Sequence, residues 1–389
     1  MRDVLDQLAD WWQAGAQVAL GTVVGTWSSA PRQPGAAMLV GQDGTAVGSV
    51  SGGCVEGAVY ELGSAVLESG VPVLQRYGVS DDDAFAVGLT CGGIIDIFVE
   101  RVSQADFPEL GEVVADIRAG RPVAVVTVVD GPDGQRGRRL VIRPEDGPGS
   151  GGPESGSLGS QRLDDAVRDD ARGMLAQGRT GVIRYGAHGE RRVDDIGVFV
   201  ASYAPRPRLI VFGAIDFAAA VARIGGFLGY RVTVCDARPV FATSKRFPDA
   251  DEVVVEWPHR YLTAQHEGGQ LDERTVVCVL THDPKFDVPL LQFALTLPLA
   301  YLGAMGSRRT HADRLARLRE LGVTEQQLER LHAPIGLDIG ARTPEETAVS
   351  IAAEIIAARW GGTGGQLRAG AGPIHGEIAP TGSEPLLSS

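Results

Sequence analysis

The sequence predicts an α/β chain, with a mixed α+β domain over residues 1–203 and a doubly wound parallel sheet over residues 204–360. Three observations predict it. The chain has 389 residues, more than one ordinary core accommodates, so two domains are expected. Ala204-Pro205-Arg206-Pro207 suits neither helix nor strand interior and reads as a linker. Beyond it the rhythm changes. Arg208-Leu209-Ile210-Val211-Phe212 is a short apolar strand of the kind a parallel sheet buries on both faces, and strand-like runs then alternate with helical ones.

In the first domain, residues 3–14 place Val4, Leu5, Leu8, Trp11 and Trp12 on one helical stripe. Val18 to Val24 is a buried strand that runs into Gly25–Gly35, a loop of hydroxyls and prolines carrying Ser29 and Arg32. Ala36 to Val40 and Thr45 to Val50 form a hairpin turned at Gln42-Asp43-Gly44. Then comes the stretch around which the domain is organised, Ser51-Gly52-Gly53-Cys54-Val55-Glu56, ahead of a helix from Val55 to Leu67. Glycines permit positive φ and close ligand approach, and amides opening a helix favour an anion or a thiolate. Cys54 is therefore the first candidate thiol. Glu56 either orients a ligand or, as a first-turn acid, stabilises its own helix. Thr90-Cys91-Gly92-Gly93 repeats the chemistry before the strand-like Ile94–Val99. Leu74–Tyr77, Asp96–Val102, Val123–Val129, Arg139–Ile142, Thr180–Arg184 and Val193–Tyr203 read as further strands, with helices over Asp106–Ala119 and Asp164–Gln177. Asp81-Asp82-Asp83 is an acidic turn, and residues 144–160, rich in Gly, Ser and Pro, read as a surface insertion ordered at neither end.

The second domain continues with strands at Arg231–Cys235, Glu252–Val255, Thr275–Leu280 and Leu299–Leu302. Helices are expected at Phe217–Leu228, Val288–Leu295, Thr310–Leu321 and Pro344–Arg359, and the tail 361–389 should be disordered. A Rossmann-like sheet that binds a dinucleotide needs a glycine turn after its first strand and an acid at the end of its second. Asp236, followed by Arg238, fits the acidic position. The turn Gly213-Ala214-Ile215-Asp216 fits poorly, because isoleucine and a carboxylate stand where pyrophosphate should approach. Thr281-His282-Asp283 lies at the carboxyl end of a strand, the edge where such sheets bind ligands. Gly306-Ser307-Arg308 enters a helix and either holds an anion or is a glycine-rich cap. Cys235 and Cys278 lie inside apolar strands and belong to the core.

Composition excludes several classes. With 44% hydrophobic and 22% charged residues the chain is globular, and its net charge of −13 argues against nucleic acid and anionic membranes. No apolar run approaches a membrane span, the charged N-terminus is unlike a signal peptide, and four scattered cysteines without a CxxC pair suggest a reducing cytoplasm and no structural zinc.

Taken together, the residues resemble the XdhC/CoxI family, accessory proteins that mature molybdenum hydroxylases. The resemblance rests on Ser29-Ala30-Pro31-Arg32, Ser51 to Glu56 and Cys91-Gly92-Gly93, then on Asp236-Ala237-Arg238, Phe247-Pro248, Thr281-His282-Asp283, Tyr301-Leu302-Gly303, Gly306-Ser307-Arg308 and Pro334 to Asp338. The family's usual Gly-Ala-Gly-His turn is altered at Ile215 and Asp216. The resemblance implies a cytoplasmic chaperone that binds molybdopterin cofactor, assists its sulfuration with a cysteine desulfurase, and passes it to a hydroxylase apoenzyme. A homodimer is expected. Cys54 and Cys91 would ligate molybdenum, carry persulfide sulfur, or line the pocket. Small residues packed under glycine turns, or a regulatory disulfide, remain the alternative. A pyridine-nucleotide oxidoreductase and a scaffold with a degenerate nucleotide domain are the competing functions.

Overall fold

The computed structural model describes residues 1–27, 32–78, 93–144, 155–191 and 193–369. The chain divides into two compact units between Pro205 and Arg206.

The first unit holds two five-stranded antiparallel sheets of identical topology. One runs α1 (Leu5–Gln13), β1 (Val18–Trp27), β2 (Ala37–Gly41), β3 (Ala46–Gly48), α2 (Glu56–Ser69), β4 (Val73–Tyr77) and β5 (Ile94–Val102). The other runs α3 (Leu110–Arg118), β6 (Val123–Asp130), β7 (Arg139–Ile142), β8 (Ser155–Gly156), α4 (Gln161–Gln177), β9 (Gly181–Tyr185) and β10 (Ile196–Tyr203). Their strand orders are β3-β2-β1-β5-β4 and β8-β7-β6-β10-β9. The same helix–three strands–helix–two strands pattern is thus used twice. Each sheet has its own helix on one face, α2 over Val23, Val40 and Ile97, and α4 over Val126, Ile142 and Val198. Helices α1 and α3 share a third core with both sheets, formed by Leu5, Leu8, Leu110 and Val113 with Leu20, Leu39, Val123 and Val141.

The second unit is a parallel sheet of β11 (Arg208–Phe212), β12 (Arg231–Asp236), β13 (Glu252–Val255), β14 (Val276–Val279), β15 (Tyr301–Ala304) and β16 (Leu331–His332). Its order, β13-β12-β11-β14-β15-β16, reverses direction beside β11, which is the doubly wound arrangement the sequence predicts. Helices α5 (Asp216–Phe227), α6 (Pro258–Glu267), α7 (Pro284–Ala294), α8 (Arg308–Glu320), α9 (Glu325–Leu328) and α10 (Pro344–Trp360) connect and cover it. Cores lie on both faces, around Val211, Val234 and Cys278 on one and around Ile210, Cys235 and Val279 on the other.

Two expectations change. The end of the stretch expected as an insertion over residues 144–160 is built into the fold, because β8 pairs with β7 at Val141–Ser155 and Ser160 caps α4 through the Leu163 amide. Helix α6 was not expected; only Pro258, Tyr261 and Leu262 of it are buried. Asp81-Asp82-Asp83 and the tail beyond Ala369 lie outside the described residues. No helix among the described residues is long and apolar enough to cross a membrane.

Candidate functional site

Strand pairing brings the described motif residues of the first unit, Arg32, Ser51 to Glu56 and Gly93, to one end of one sheet. Trp27, the last residue of β1, sits opposite Ile94, the first of β5, and Tyr77 ends β4 opposite Ile95. At the same end β2 begins at Ala37 opposite Thr22, and β3 finishes at Gly48 opposite Met38. The connections leaving this end carry Ser29 and Arg32, then Ser51 to Glu56, then Cys91-Gly92-Gly93. Ser29, Cys91 and Gly92 lie outside the described residues; Gly93 is buried where β5 begins. Arg32 is partly exposed and ion-paired with Asp3 at 2.6 Å. A pair so open to solvent is weak, so the guanidinium is easily recruited.

The turn before α2 is closed by a single carboxylate. Glu56 Oε1 accepts from Ser49 Oγ at 2.6 Å and from the amides of Val50, Ser51 and Gly52 at 3.2, 2.9 and 3.1 Å. Its Oε2 accepts from Ser51 Oγ at 2.5 Å and the Gly53 amide at 2.8 Å. Ser51 Oγ in turn accepts from the amides of Cys54 and Val55 at 2.9 and 3.0 Å. Burial acts to raise the Glu56 pKa, but the bonds from Ser49 and Ser51 outweigh it and hold the group at about 2. The main chain here is therefore not a free anion cradle, as glycines at a helix start suggested. Its amides are already satisfied from within.

What the turn presents is sulfur and bare backbone. Cys54 is half-buried, packed beside the core of Val50, Val55 and Val59. Gly52 and Gly53 have φ of 79° and 120°, and an added Cβ would meet nothing within 4 Å at either. Both are thus glycines because of backbone conformation, and both leave open space beside the thiol.

The second sheet supplies an internal comparison. Ser157, Leu158, Asp164, Arg184 and Tyr185 stand at the places of Ser49, Val50, Glu56, Arg76 and Tyr77. Asp164 accepts from Ser157 Oγ at 2.8 Å and the Leu158 amide at 2.7 Å, in the manner of Glu56. The carboxylate-closed turn is therefore a feature of the repeated fold. The Gly-Gly-Cys segment is not, since Ser160-Gln161-Arg162 occupies its place.

The candidate residues of the second unit gather at the carboxyl edge of its sheet. Gly213 has φ of 108°, and a Cβ there would lie 2.9 Å from both Cγ2 and N of Thr281. The Ala214 amide donates to Asp236 Oδ2 at 2.7 Å, and the Ile215 amide to the Gly213 carbonyl. Arg238 closes on Asp236 through Nε to Oδ1 at 2.9 Å and Nη2 to Oδ2 at 2.8 Å. Burial acts to raise the Asp236 pKa, but Arg238 and the Ala214 amide lower it overall. The acid that would read a ribose is thus saturated, and Asp216 is paired with Arg246 at 3.2 Å.

Further along this edge, Thr281 donates its hydroxyl to buried Asp287, which Arg314 holds at 3.0 Å. Asp283 caps α7 through the Lys285 amide, and Ser307 caps α8 through Thr310, both structural bonds. His282 and Arg308 are exposed. Cys235 and Cys278 are fully buried, as the sequence indicated, and burial pushes the Cys235 thiol up to about 12.

Comparison with known proteins follows the same division. The XdhC Rossmann domain matches residues 209–355 and the XdhC and CoxI family matches residues 11–78 and 116–186, one segment in each sheet repeat. A Bacillus subtilis (strain 168) protein, named as a "probable xanthine dehydrogenase" subunit, is 30% identical over 345 residues, covering 88% of this chain and 93% of that one. The chain belongs to the XdhC and CoxI family. Another relative, the molybdenum cofactor insertion chaperone PaoD of Escherichia coli (strain K12), is 27% identical over 358 residues, 92% of this chain and 88% of its own. A crystal structure of a xanthine dehydrogenase from Bacillus halodurans superposes with a TM-score of 0.64 at 27% identity, covering 91% of this chain and 95% of that one.

Within this XdhC/CoxI chain, sequence reasoning missed Arg246, Phe241, Asp287 and Arg314. The buried ion pair of Asp287 and Arg314 crosses from α7 to α8, and no local spacing announces it. Phe241 and Arg246 lie in the irregular stretch after β12, where no periodicity exists to read.

Proposed function

We propose that this protein is a molybdenum-cofactor insertion chaperone, with the Cys54 turn as the point of contact with its cargo. One observation supports this most: the repeated fold keeps its carboxylate-closed turn twice but places a thiol and two open glycines in only one of them. The cargo fits that surface. A metal already held by the cofactor's own dithiolene needs at most one protein sulfur. In this reading Cys54 Sγ offers an exchangeable ligand or a sulfur-accepting thiol. Gly52 and Gly53 let the flat cofactor approach the main chain, and Glu56 holds the thiol in place. Arg32, freed from Asp3, meets the pterin phosphate. Cys91, which precedes β5 in the sequence, is the second candidate thiol. A cysteine desulfurase, a molybdenum hydroxylase apoenzyme and a second copy of the chain complete the proposal as partners.

The test is cofactor retention. The protein is coexpressed with cofactor synthesis, purified, and assayed for molybdenum by mass spectrometry and for pterin by fluorescence after oxidation. Wild type should retain both, and Cys54→Ala should lose most of both at unchanged stability. Equal retention by Cys54→Ala would remove the thiol from the function.

A further inference from the structure

We propose that the second unit carries a separate binding site for a nucleoside monophosphate, in the groove beside the altered glycine turn. The groove has a volume of about 200 Å³ and is lined by Ala214, Ile215, Asp216, Arg238, Phe241 and Arg246. It opens at the carboxyl edge of the sheet, beside β11 and β12, where doubly wound folds place their ligands.

The geometry argues for one nucleotide and against two. The diphosphate grip on which a dinucleotide site depends is gone. The Ala214 and Ile215 amides are bonded within the protein, and the Ile215 side chain stands where glycine would admit pyrophosphate. Asp236 has no oxygen left for a ribose hydroxyl, because the Ala214 amide and Arg238 take both.

What remains is a stacking platform with a cation beside it. The Phe241 ring is 41% exposed, and the guanidinium carbons of Arg238 and Arg246 lie 4.7 and 5.6 Å from its centroid. A planar base stacks on such a surface, on the ring or on a guanidinium plane. Arg246 is committed to Asp216 and to the Ala214 and Phe241 carbonyls. Arg238 turns Nε and Nη2 to Asp236 and leaves Nη1 as an open, half-exposed donor, positioned for a single phosphomonoester near the place of the ribose. In related folds an arginine near this acid accommodates a ribose 2′-phosphate. The groove therefore selects phosphorylated over bare nucleosides, and single nucleotides over dinucleotides.

Calorimetry on the full chain tests this with adenosine 2′-monophosphate, adenosine 5′-monophosphate, adenosine and NADH. At least one monophosphate should bind, adenosine should bind about tenfold or more weaker, and NADH should bind no tighter than the monophosphate. Phe241→Ala, a change at an exposed ring, should weaken the monophosphate about tenfold, the size of one lost stacking partner. Arg238→Gln should abolish the preference for the monophosphate over adenosine, the two then binding within about twofold of each other. Failure of both monophosphates to bind at millimolar concentration overturns the proposal. So does tighter binding of NADH, which would mean an intact diphosphate grip, or wild-type binding by both variants. Cys54→Ala should bind the monophosphate as wild type does, so this result stands or falls apart from cofactor retention.

Discussion

Replacing Glu56 by Gln tests the account of the thiol turn directly. The amide oxygen of glutamine can take the place of Oε1 and keep its four donors, but its NH2 then faces the Gly53 amide, donor against donor, and the Ser51 hydroxyl must turn its proton away. The variant loses the charge on every remaining bond as well. A hydrogen bond to a charged group contributes about 1.5–3 kcal/mol, so loss of one with weakening of the rest should cost about 2–3 kcal/mol. The pH dependence has a definite sign. The folded-state pKa of Glu56, about 2, lies below its ordinary value of 4.5, so the carboxylate's contribution is full above pH 4.5 and is lost as pH falls toward 2. Urea denaturation should show the gap between wild type and Glu56→Gln at pH 7 closing between about pH 4.5 and 2. A variant within 0.5 kcal/mol of wild type at pH 7, well under the roughly 1.5 kcal/mol floor for a charged bond, would refute the reasoning. So would a gap independent of pH. Asp164→Asn in the second repeat, which breaks a two-donor version of the same closure, should cost less, about 1 kcal/mol.

Two other changes have outcomes set by packing. Gly213→Ala must accommodate both a positive φ and a Cβ 2.9 Å from the Thr281 backbone nitrogen, and should destabilise the second unit by about 3 kcal/mol in a denaturant melt. Arg76→Ala leaves the fully buried Asp96 without the guanidinium that holds it at 2.7 Å, for an expected loss of about 3–5 kcal/mol. Burial already raises the Asp96 pKa despite Arg76, so in the variant ionisation should cost stability as pH rises, and urea melts at pH 5 should show a smaller loss than at pH 7.

The second unit was largely legible because its signals are local. The apolar runs of β11, β12 and β14 are buried over nearly their whole length, and the linker prolines mark where the rhythm changes. Helix α6 was not legible, since a helix burying two side chains and a proline leaves little periodicity. In the first unit the position of Cys54 between strand and helix could be read directly, but the fate of the amides around it could not. A first-turn glutamate ordinarily acts on its own helix. Here the side chain folds back to collect the preceding turn, and only coordinates show which donors it takes. The duplication was hidden for a related reason. Equivalence of β1–β5 with β6–β10 lies in strand pairing, and pairing is a long-range property that the two halves reach with different side chains.

The duplication also constrains what Glu56 does. If its carboxylate existed to contact a cargo, the second repeat, lacking the glycines and the thiol, would have no need of a carboxylate at Asp164. Yet Asp164 binds the matching serine and the matching buried residue's amide. The common part of the two turns is therefore architectural: a short polar segment leaving an edge strand must satisfy its amides, and a carboxylate at the start of the next helix does so. The differing part is Gly52-Gly53-Cys54. Because Glu56 and Ser51 have already satisfied the neighbouring amides, those three residues carry no structural hydrogen-bonding duty beyond their own amides, and their side-chain positions hold open space and one sulfur. Under the proposed function, this division lets the turn exchange an incoming ligand without unfolding its own support, as handing over a cofactor requires.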